Sequence, residues 1–289
     1  MKIRKAVITA AGLGTRVLPA SKAMPKEMIP IVDKPAIQYI AEECVKAGIT
    51  DILIILSRGK HVVEDHFDRS PDLEKKLAES GRDNVLRDMI AIAQMADFTY
   101  VRQQEQLGLG HAVLCAKNFV GDEPFAVLYG DDVIIGDDPA IAQLSRAYEK
   151  YEKGIVGIKE VSVEDVKRYS SMKLTALGDG CFSITDMVEK PSEDQIFSHY
   201  SILGRCILPP DIFEILESIP KGKNNELQLT DAMKVLAQRN GMIGIDFTGQ
   251  RYDIGNKLGI LKAAIDVGLS RPELHDELAA YIKAAAERL

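Results

Sequence analysis

Val7-Ile8-Thr9-Ala10-Ala11-Gly12-Leu13-Gly14-Thr15-Arg16 is the stretch on which the fold turns. A short apolar run, read as a strand, opens through two alanines into a glycine-rich loop that ends on a cation. Glycines in that place let backbone N–H groups approach an anion closely, and successive N–H groups in a turn form an anion-binding nest. Lys22 and Lys26 follow, so Arg16, Lys22 and Lys26 lie within eleven residues of each other, offset locally by Glu27 and Asp33. That is a phosphate grip in composition. It is not a dinucleotide fingerprint, because Val17 stands where G-x-G-x-x-G needs its third glycine, and the NAD-dependent oxidoreductase reading fails there. A G-x-x-x-x-G-K-[ST] loop is absent as well.

Outward from this stretch, apolar runs alternate with helical patterns. Ala36 to Ala47 carries Ile37, Ile40, Ala41 and Cys44 at helical spacing, with Gly48 placed to end it. Ile52 to Leu56 is too continuous for a half-exposed strand and reads as one buried on both faces. A long helical region is expected from about Asp72 to Ala93, a strand at Thr99 to Val101, a helical stretch from Leu109 to Lys117, a buried strand at Phe125 to Tyr129 and a helix from Pro139 to Lys153. After about residue 155 the pattern changes to strands with fewer helices between them, at 155–161, 172–177, 182–188 and 202–208. Helices return at 211–218, 230–240, 256–269 and 275–289. The expectation is a doubly wound α/β fold with a mostly parallel, mixed sheet and a small antiparallel extension. Ligands of such sheets bind outside the carboxyl ends of the strands.

The 289 residues suit one large α/β domain with at most a modest appendage, and the 46% hydrophobic and 27% charged fractions suit an ordinary core and surface. A net charge of −7 argues against a nucleic-acid partner, which leaves a basic patch on its binder. Cys44, Cys115, Cys181 and Cys206 are far apart, sit among apolar neighbours, and read as buried free thiols. His61, His66, His111, His199 and His275 show no metal-ligand spacing, and His111 is expected to be structural. The apolar run that ends at Gly12 is too short for a signal segment, and no stretch reaches the length of a membrane span, so the chain reads as cytoplasmic with no membrane partner.

The loop Ala10 to Arg16, with Pro25-Lys26-Glu27-Met28 and Asp33-Lys34-Pro35, resembles the opening of bacterial UTP–glucose-1-phosphate uridylyltransferases; related thymidylyltransferases typically open with Gly-Gly in place of Ala10-Ala11. The resemblance continues through Gln103-Gln104, Leu107 to Ala112, Gly130-Asp131-Asp132, Val188-Glu189-Lys190-Pro191, Glu226 to Ala232 and Tyr252-Asp253-Ile254-Gly255, in the family's order. It implies a Rossmann-like nucleotidyltransferase domain over 1–270, with a nucleotide half at about 1–150 and a sugar half at about 151–270, and a C-terminal helix at 271–289.

What the resemblance implies for function is Mg²⁺-assisted, in-line attack of glucose 1-phosphate on the α-phosphorus of UTP, giving UDP-glucose and pyrophosphate. Arg16, Lys26 and Lys190 are the expected catalytic cations. Ala11, Gly12, Gly14, Thr15, Gln103 and Gly108 are expected to hold the nucleotide, and Glu189 and Gly204 the sugar. Asp131 and Asp253 are the expected metal pair. Taken alone, Gly130-Asp131-Asp132 is as consistent with a plain turn, and Asp132 is left outside the metal set. One departure from the family stands at Ser170, where the family commonly has glycine after the tyrosine. Its side chain either narrows the sugar pocket or donates a hydroxyl. Two rival readings are a thymidylyltransferase acting on the same sugar phosphate and a catalytically silent regulator that binds a nucleotide sugar. The second should have lost some of Arg16, Lys26, Asp131, Lys190 or Asp253, and all five are present. A homo-oligomer, dimer or tetramer, is expected; the amphipathic C-terminal stretch (Leu274, Leu278, Ile282, Ala285, Leu289) packs on its own domain or forms a subunit contact.

Overall fold

Alternate residues of the first apolar run go to opposite faces of a sheet, and both faces are covered. Val7 packs with one core and Ile8 with the other, as do Leu53 and Ile54, and Val127 and Leu128. A strand buried on both sides has no polar face to show, which is why these runs read as continuous rather than alternating.

The structure is a computed structural model and describes residues 2–222 and 225–289. Its strands are β1 (Lys5–Thr9), β2 (Pro30–Ile31), β3 (Lys34–Pro35), β4 (Asp51–Leu56), β5 (Asp97–Arg102), β6 (Phe125–Tyr129), β7 (Asp132–Ile135), β8 (Gly154–Glu160), β9 (Ser170–Gly178), β10 (Cys181–Glu189), β11 (Tyr200–Leu208), β12 (Met242–Asp246) and β13 (Gln250–Asp253). Its helices are α1 (Ala36–Lys46), α2 (His61–Phe67), α3 (Pro71–Glu79), α4 (Asp83–Gln94), α5 (Leu109–Leu114), α6 (Lys117–Val120), α7 (Ala140–Tyr151), α8 (Val163–Val166), α9 (Asp211–Ser218), α10 (Leu229–Asn240), α11 (Lys257–Ser270) and α12 (Pro272–Ala286).

The main sheet has nine strands in the order β5-β4-β1-β6-β11-β8-β12-β10-β9. The first four are mutually parallel; β11 then runs antiparallel to both β6 and β8, β12 is parallel to β8, and β10 and β9 close the sheet as an antiparallel hairpin. The expected mixed α/β sheet is therefore the one that forms. Helices α1, α7 and α11 cover one face, and α5, α9 and α10 the other. The chain leaves β1 toward β4 and β5 and returns to pair β6 on the other side of β1, so the carboxyl ends of β1 and β6 flank a topological switch point.

Three local expectations gain detail or are corrected. The helical region from Asp72 to Ala93 forms as two helices, α3 and α4, because Gly81 takes a left-handed φ of 71° that interrupts the turn between them. The helix from Leu109 to Lys117 is likewise two short ones, α5 and α6. Of the four thiols, all free, Cys44 and Cys206 are buried, whereas Cys115 and Cys181 are partly exposed. The C-terminal helix α12 packs on α11, close enough that a methyl added to Gly268 would sit 2.6 Å from Leu278. Among the described residues no helix is long and apolar enough to cross a membrane.

Candidate active site

The loop after β1 is held by short 3₁₀ turns. They lie at Thr15–Val17, Ala20–Lys22 and Lys26–Met28. Gly14 starts the first with φ 68°, and the Ser21 hydroxyl donates to its carbonyl at 2.7 Å. A side chain at position 14 would meet Ser21 at 3.0 Å, so glycine is required both by conformation and by space. These turns fold the loop back so that Lys26 and Arg16 face the end of β6.

At that end the chain turns through Gly130, whose N–H donates to the Thr9 carbonyl at 3.0 Å, and presents Asp131. Lys26 Nζ pairs directly with Asp131 Oδ2. Arg16 spans two carboxylates, Nη2 lying 3.5 Å from Asp131 Oδ2 and Nη1 3.6 Å from Asp253 Oδ2. Asp253 arrives from the carboxyl end of β13, which pairs with β7 so that Asp253 stands opposite Asp132. The sequence-expected metal pair and two of the three expected cations thus meet at one point. Burial alone would lower the Lys26 ammonium, but Asp131 and Glu27 outweigh it and hold its pKa above the ordinary value. Burial would raise Asp131, yet Lys26 and Arg16 together bring it below the usual carboxylate range.

Asp132 points elsewhere. Its Oδ1 accepts from Arg251 Nε at 2.6 Å, while burial pushes its carboxyl up to about 6. Beneath it lies Arg205, fully buried, which binds Glu43 through Nε and Nη2 and donates to the carbonyls of Gly204 and Asp132. Gly204, with φ 76°, packs directly on Asp132: a Cβ there would lie 2.6 Å from Asp132 Oδ2. The requirement for glycine at 204 is therefore set by the aspartate behind the cleft.

Two clefts open on either side of the Arg16–Asp131 cluster. One of about 330 Å³ is lined by Thr9, Ala11, Gly12, Gln103, Gly108 and Glu226, with Lys26 and Asp131 at its inner end. In it Gln103 Nε2 donates to the Gly108 carbonyl at 3.1 Å and lies 2.9 Å from His111 Nδ1, which fixes the glutamine amide and gives His111 its structural task. Gly108 takes φ 98° because the segment after it is zipped to Leu227, whose carbonyl would lie 2.7 Å from a Cβ at 108. Gly14 and Thr15 line neither cleft; they shape the loop from outside.

The second cleft, about 640 Å³, is lined by Arg16, Asp131, Asp253, Tyr169, Glu189 and Lys190 among others. Lys190 holds an exposed left-handed turn, φ 45°, and its N–H donates to the Tyr169 carbonyl at 2.7 Å. For a lysine such a conformation costs about 1 kcal/mol or more and persists where the surroundings impose it. Burial raises the Glu189 carboxyl, and Thr230 donates to its Oε2 at 2.9 Å. Ser170, the departure from the family, is buried; its Oγ accepts from the Ile202 N–H at 3.0 Å and its carbonyl accepts from Ser201. The hydroxyl thus stitches β9 to β11.

Residues 5–268 match the nucleotidyl transferase family. The chain belongs to that family. Relatives of this nucleotidyltransferase include the UTP–glucose-1-phosphate uridylyltransferase YngB of Bacillus subtilis, 50% identical over 287 residues, 99% of this chain and 97% of that one. UTP–glucose-1-phosphate uridylyltransferase 2 of Staphylococcus saprophyticus is 47% identical over 98% of each chain. Among solved structures, a UDP-glucose pyrophosphorylase complexed with UDP-glucose superposes with a TM-score of 0.84 at 43% identity, covering 93% of this chain and all of that one. The UTP-bound UGPase of Acinetobacter baumannii gives 0.89 at 36% identity, covering 97% and 98%.

Several site residues of this nucleotidyltransferase escape sequence reading. Glu27 is fully buried and receives Lys60 Nζ at 2.8 and 3.0 Å; the same ammonium donates to the Ala10 carbonyl, clamping the loop from below. Gln106 Nε2 holds the Ala11 carbonyl at 2.9 Å. Lys60 stands in a loop with no periodic signal, and Arg251 reads as a surface cation until the pairing of β7 with β13 is known. Gln106 was within reach, since it lies in the block from Gln103 to Ala112.

Proposed function

We propose that the chain transfers the uridylyl group of UTP to α-D-glucose 1-phosphate, giving UDP-glucose and pyrophosphate. The observation that carries this reading is the cluster of Lys26, Arg16, Asp131 and Asp253 at the switch point, set between a nucleotide-sized cleft and a polar cleft lined by Glu189 and Lys190. The names of the full-length relatives support the choice of UTP and glucose 1-phosphate.

In this reading the nucleotide half, about 1–150, takes the base against Ala11, Gly12, Gln103 and Gly108, while Gly14 and Thr15 hold the loop's shape. The sugar half, about 151–270, takes the glucosyl hydroxyls on Glu189, while Gly204, packed on Asp132 behind the cleft, supports the wall rather than lining it. The attacking phosphate oxygen is anionic near neutral pH and needs no general base. What opposes the reaction is repulsion between two polyanions. Lys26 and Arg16 meet the triphosphate, Arg16 as a planar fork and Lys26 as a point charge, and Lys190 sits where the sugar phosphate meets the α-phosphate. Catalysis is then positioning and charge neutralisation.

The donor set suits a divalent cation such as Mg²⁺. Asp131 and Asp253 converge on one guanidinium, offering hard oxygens at a point already able to hold positive charge, and a pair of carboxylates plus substrate phosphates and water is the usual complement. When bound, Mg²⁺ would neutralise charge on the nucleotide phosphates.

The test is pyrophosphate release from UTP and glucose 1-phosphate with Mg²⁺, with dTTP, galactose 1-phosphate and EDTA arms. Release dependent on both substrates and the metal, fastest with UTP and glucose 1-phosphate, is expected. Faster release with dTTP would replace the nucleotide, and no release from folded protein that binds UDP-glucose would favour the silent regulator. A homo-oligomer is also proposed, supported by the outer face of α11, where Leu258, Leu261 and Ile265 stand exposed at helical spacing beside a buried inner face.

A further inference from the structure

We infer that the Tyr169 hydroxyl is a positioning group for Asp253, setting the orientation of that carboxylate from the sugar side of the cleft. The inference rests on the reading of Asp253 as a metal-holding residue. Tyr169 lies just before β9 and is half-buried in the wall of the second cleft. Its hydroxyl donates to Asp253 Oδ2 at 3.2 Å, and accepts from Arg251 Nη1 at 3.2 Å. The Arg251 guanidinium also lies over the Tyr169 ring, 4.8 Å from its centroid, and is itself fixed by Asp132. The ring is therefore held by a charge that is held in turn.

Asp253 has two oxygens and two local partners. Oδ1 accepts from the Gly255 N–H at 2.8 Å, and Oδ2 from Tyr169. With one oxygen tied to backbone and the other to a phenol, rotation of the carboxylate is blocked. Its remaining lone pairs are left toward Arg16, the side on which Asp131 stands. Groups that orient a metal-binding carboxylate in this way typically matter 10–100-fold in affinity or rate. The Tyr169 hydroxyl spends its proton on Asp253 and accepts from Arg251, so no proton is left to donate to a sugar. Through its carbonyl, the same residue takes the Lys190 N–H. One tyrosine thereby fixes the metal-side carboxylate by its side chain and the sugar-phosphate lysine by its backbone.

Tyr169→Phe removes the oxygen but keeps the ring over Arg251 and the carbonyl to Lys190, so the fold is retained. We expect Mn²⁺, followed by electron paramagnetic resonance, to bind the protein–UTP complex about tenfold more weakly. The Mg²⁺ concentration for half-maximal rate should rise by a similar factor, kcat should fall about tenfold, and KM for glucose 1-phosphate should stay within about twofold of wild type. Unchanged Mn²⁺ affinity would overturn the inference. So would a raised KM for glucose 1-phosphate at unchanged kcat, which would make Tyr169 a sugar contact instead. Asp253→Asn separates this from the underlying reading. If it abolishes Mn²⁺ binding while Tyr169→Phe behaves as wild type, the positioning role alone fails. If Asp253→Asn binds Mn²⁺ normally, the metal reading fails and the inference falls with it.

Discussion

Replacing Arg205 by methionine tests the framework under the cleft. Arg205 is 0% exposed and its guanidinium makes contacts of 3.0, 3.1 and 2.6 Å to Glu43, itself 5% exposed. Glu43 also accepts the Ile141 N–H at 3.0 Å. Arg205→Met leaves that carboxylate buried without its counter-charge, a change worth about 3–5 kcal/mol. With an unfolding entropy of roughly 2.1 cal/mol/K per residue, a chain of this length has about 0.6 kcal/mol/K, so Tm should fall by ~5–8 °C. Glu43→Met alone should cost a comparable amount, since the guanidinium is then the unpaired charge. The double variant removes both charges, and replacing a buried pair by apolar groups is often neutral. It still orphans the Ile141 N–H and withdraws donors from the Gly204 and Asp132 carbonyls, at about 1–3 kcal/mol for a group left unsatisfied. The double variant should therefore be less destabilised than the sum of the singles by at least about 2 kcal/mol. Urea unfolding of the four proteins measures this cycle. Additive losses would refute the claim that the pair is coupled in the folded state.

Lys26→Ala and Asp131→Ala should each slow turnover by about 10²-fold or more with little change in melting temperature, read by pyrophosphate release; a wild-type rate in folded protein would remove the residue from the chemistry. Lys60→Met should destabilise by about 3 kcal/mol near pH 8, because Glu27 loses its buried partner. Burial already holds Glu27 above its ordinary pKa, so as pH falls toward that raised value the folded carboxyl takes up a proton that the unfolded chain still lacks. The deficit relative to wild type should accordingly narrow between pH 8 and pH 5.5 in urea midpoints, and a constant gap would contradict it. Leu261→Glu, on the exposed face of α11, should lower the mass seen by light scattering if that face joins two copies; an unchanged oligomer would exclude the face as the interface.

The central strands of the first half, β1, β4 and β6, were legible because both faces are buried, which turns each into an apolar run: Ile52 to Leu56 and Phe125 to Tyr129 need no context. The two-stranded sheet of β7 and β13 was not, because its residues mix Asp132, Arg251 and Asp253 with apolar neighbours and its pairing spans more than a hundred residues. That pairing decides what Asp132 does. Adjacent to Asp131 in sequence, it faces Arg251 in space, since neighbouring residues at a strand's start point to opposite sides. The break between α3 and α4 was also hidden, because a lone glycine inside a helical pattern is tolerated at modest cost and does not by itself mark an end. The loop residues Gly12, Arg16 and Lys26 were legible through glycine and charge spacing. Their clamp, Lys60 on Glu27 and Ala10, was not, because nothing local in the sequence distinguishes a buried lysine from a solvated one.

The charge pattern of the cleft accounts for how a site that we propose takes polyanions stays folded without them. Three carboxylates, Asp131, Asp132 and Asp253, face three cations, Lys26, Arg251 and Arg16, within two strands' ends. The two sets differ in commitment. Asp132 and Arg251 are both largely buried and close-paired, so neither is free to meet a substrate. Arg16 is 54% exposed and stands 3.5–3.6 Å from its carboxylates, a loose pair of small worth that a phosphate can outbid. Lys26 is intermediate, 12% exposed and tightly paired. In the proposed function an incoming triphosphate would find Arg16 ready to turn toward it, and would meet Lys26 only by drawing it from Asp131, leaving that carboxylate free for a cation that arrives with the nucleotide. Fixed pairs set the geometry, and the loose pair supplies the charge that moves.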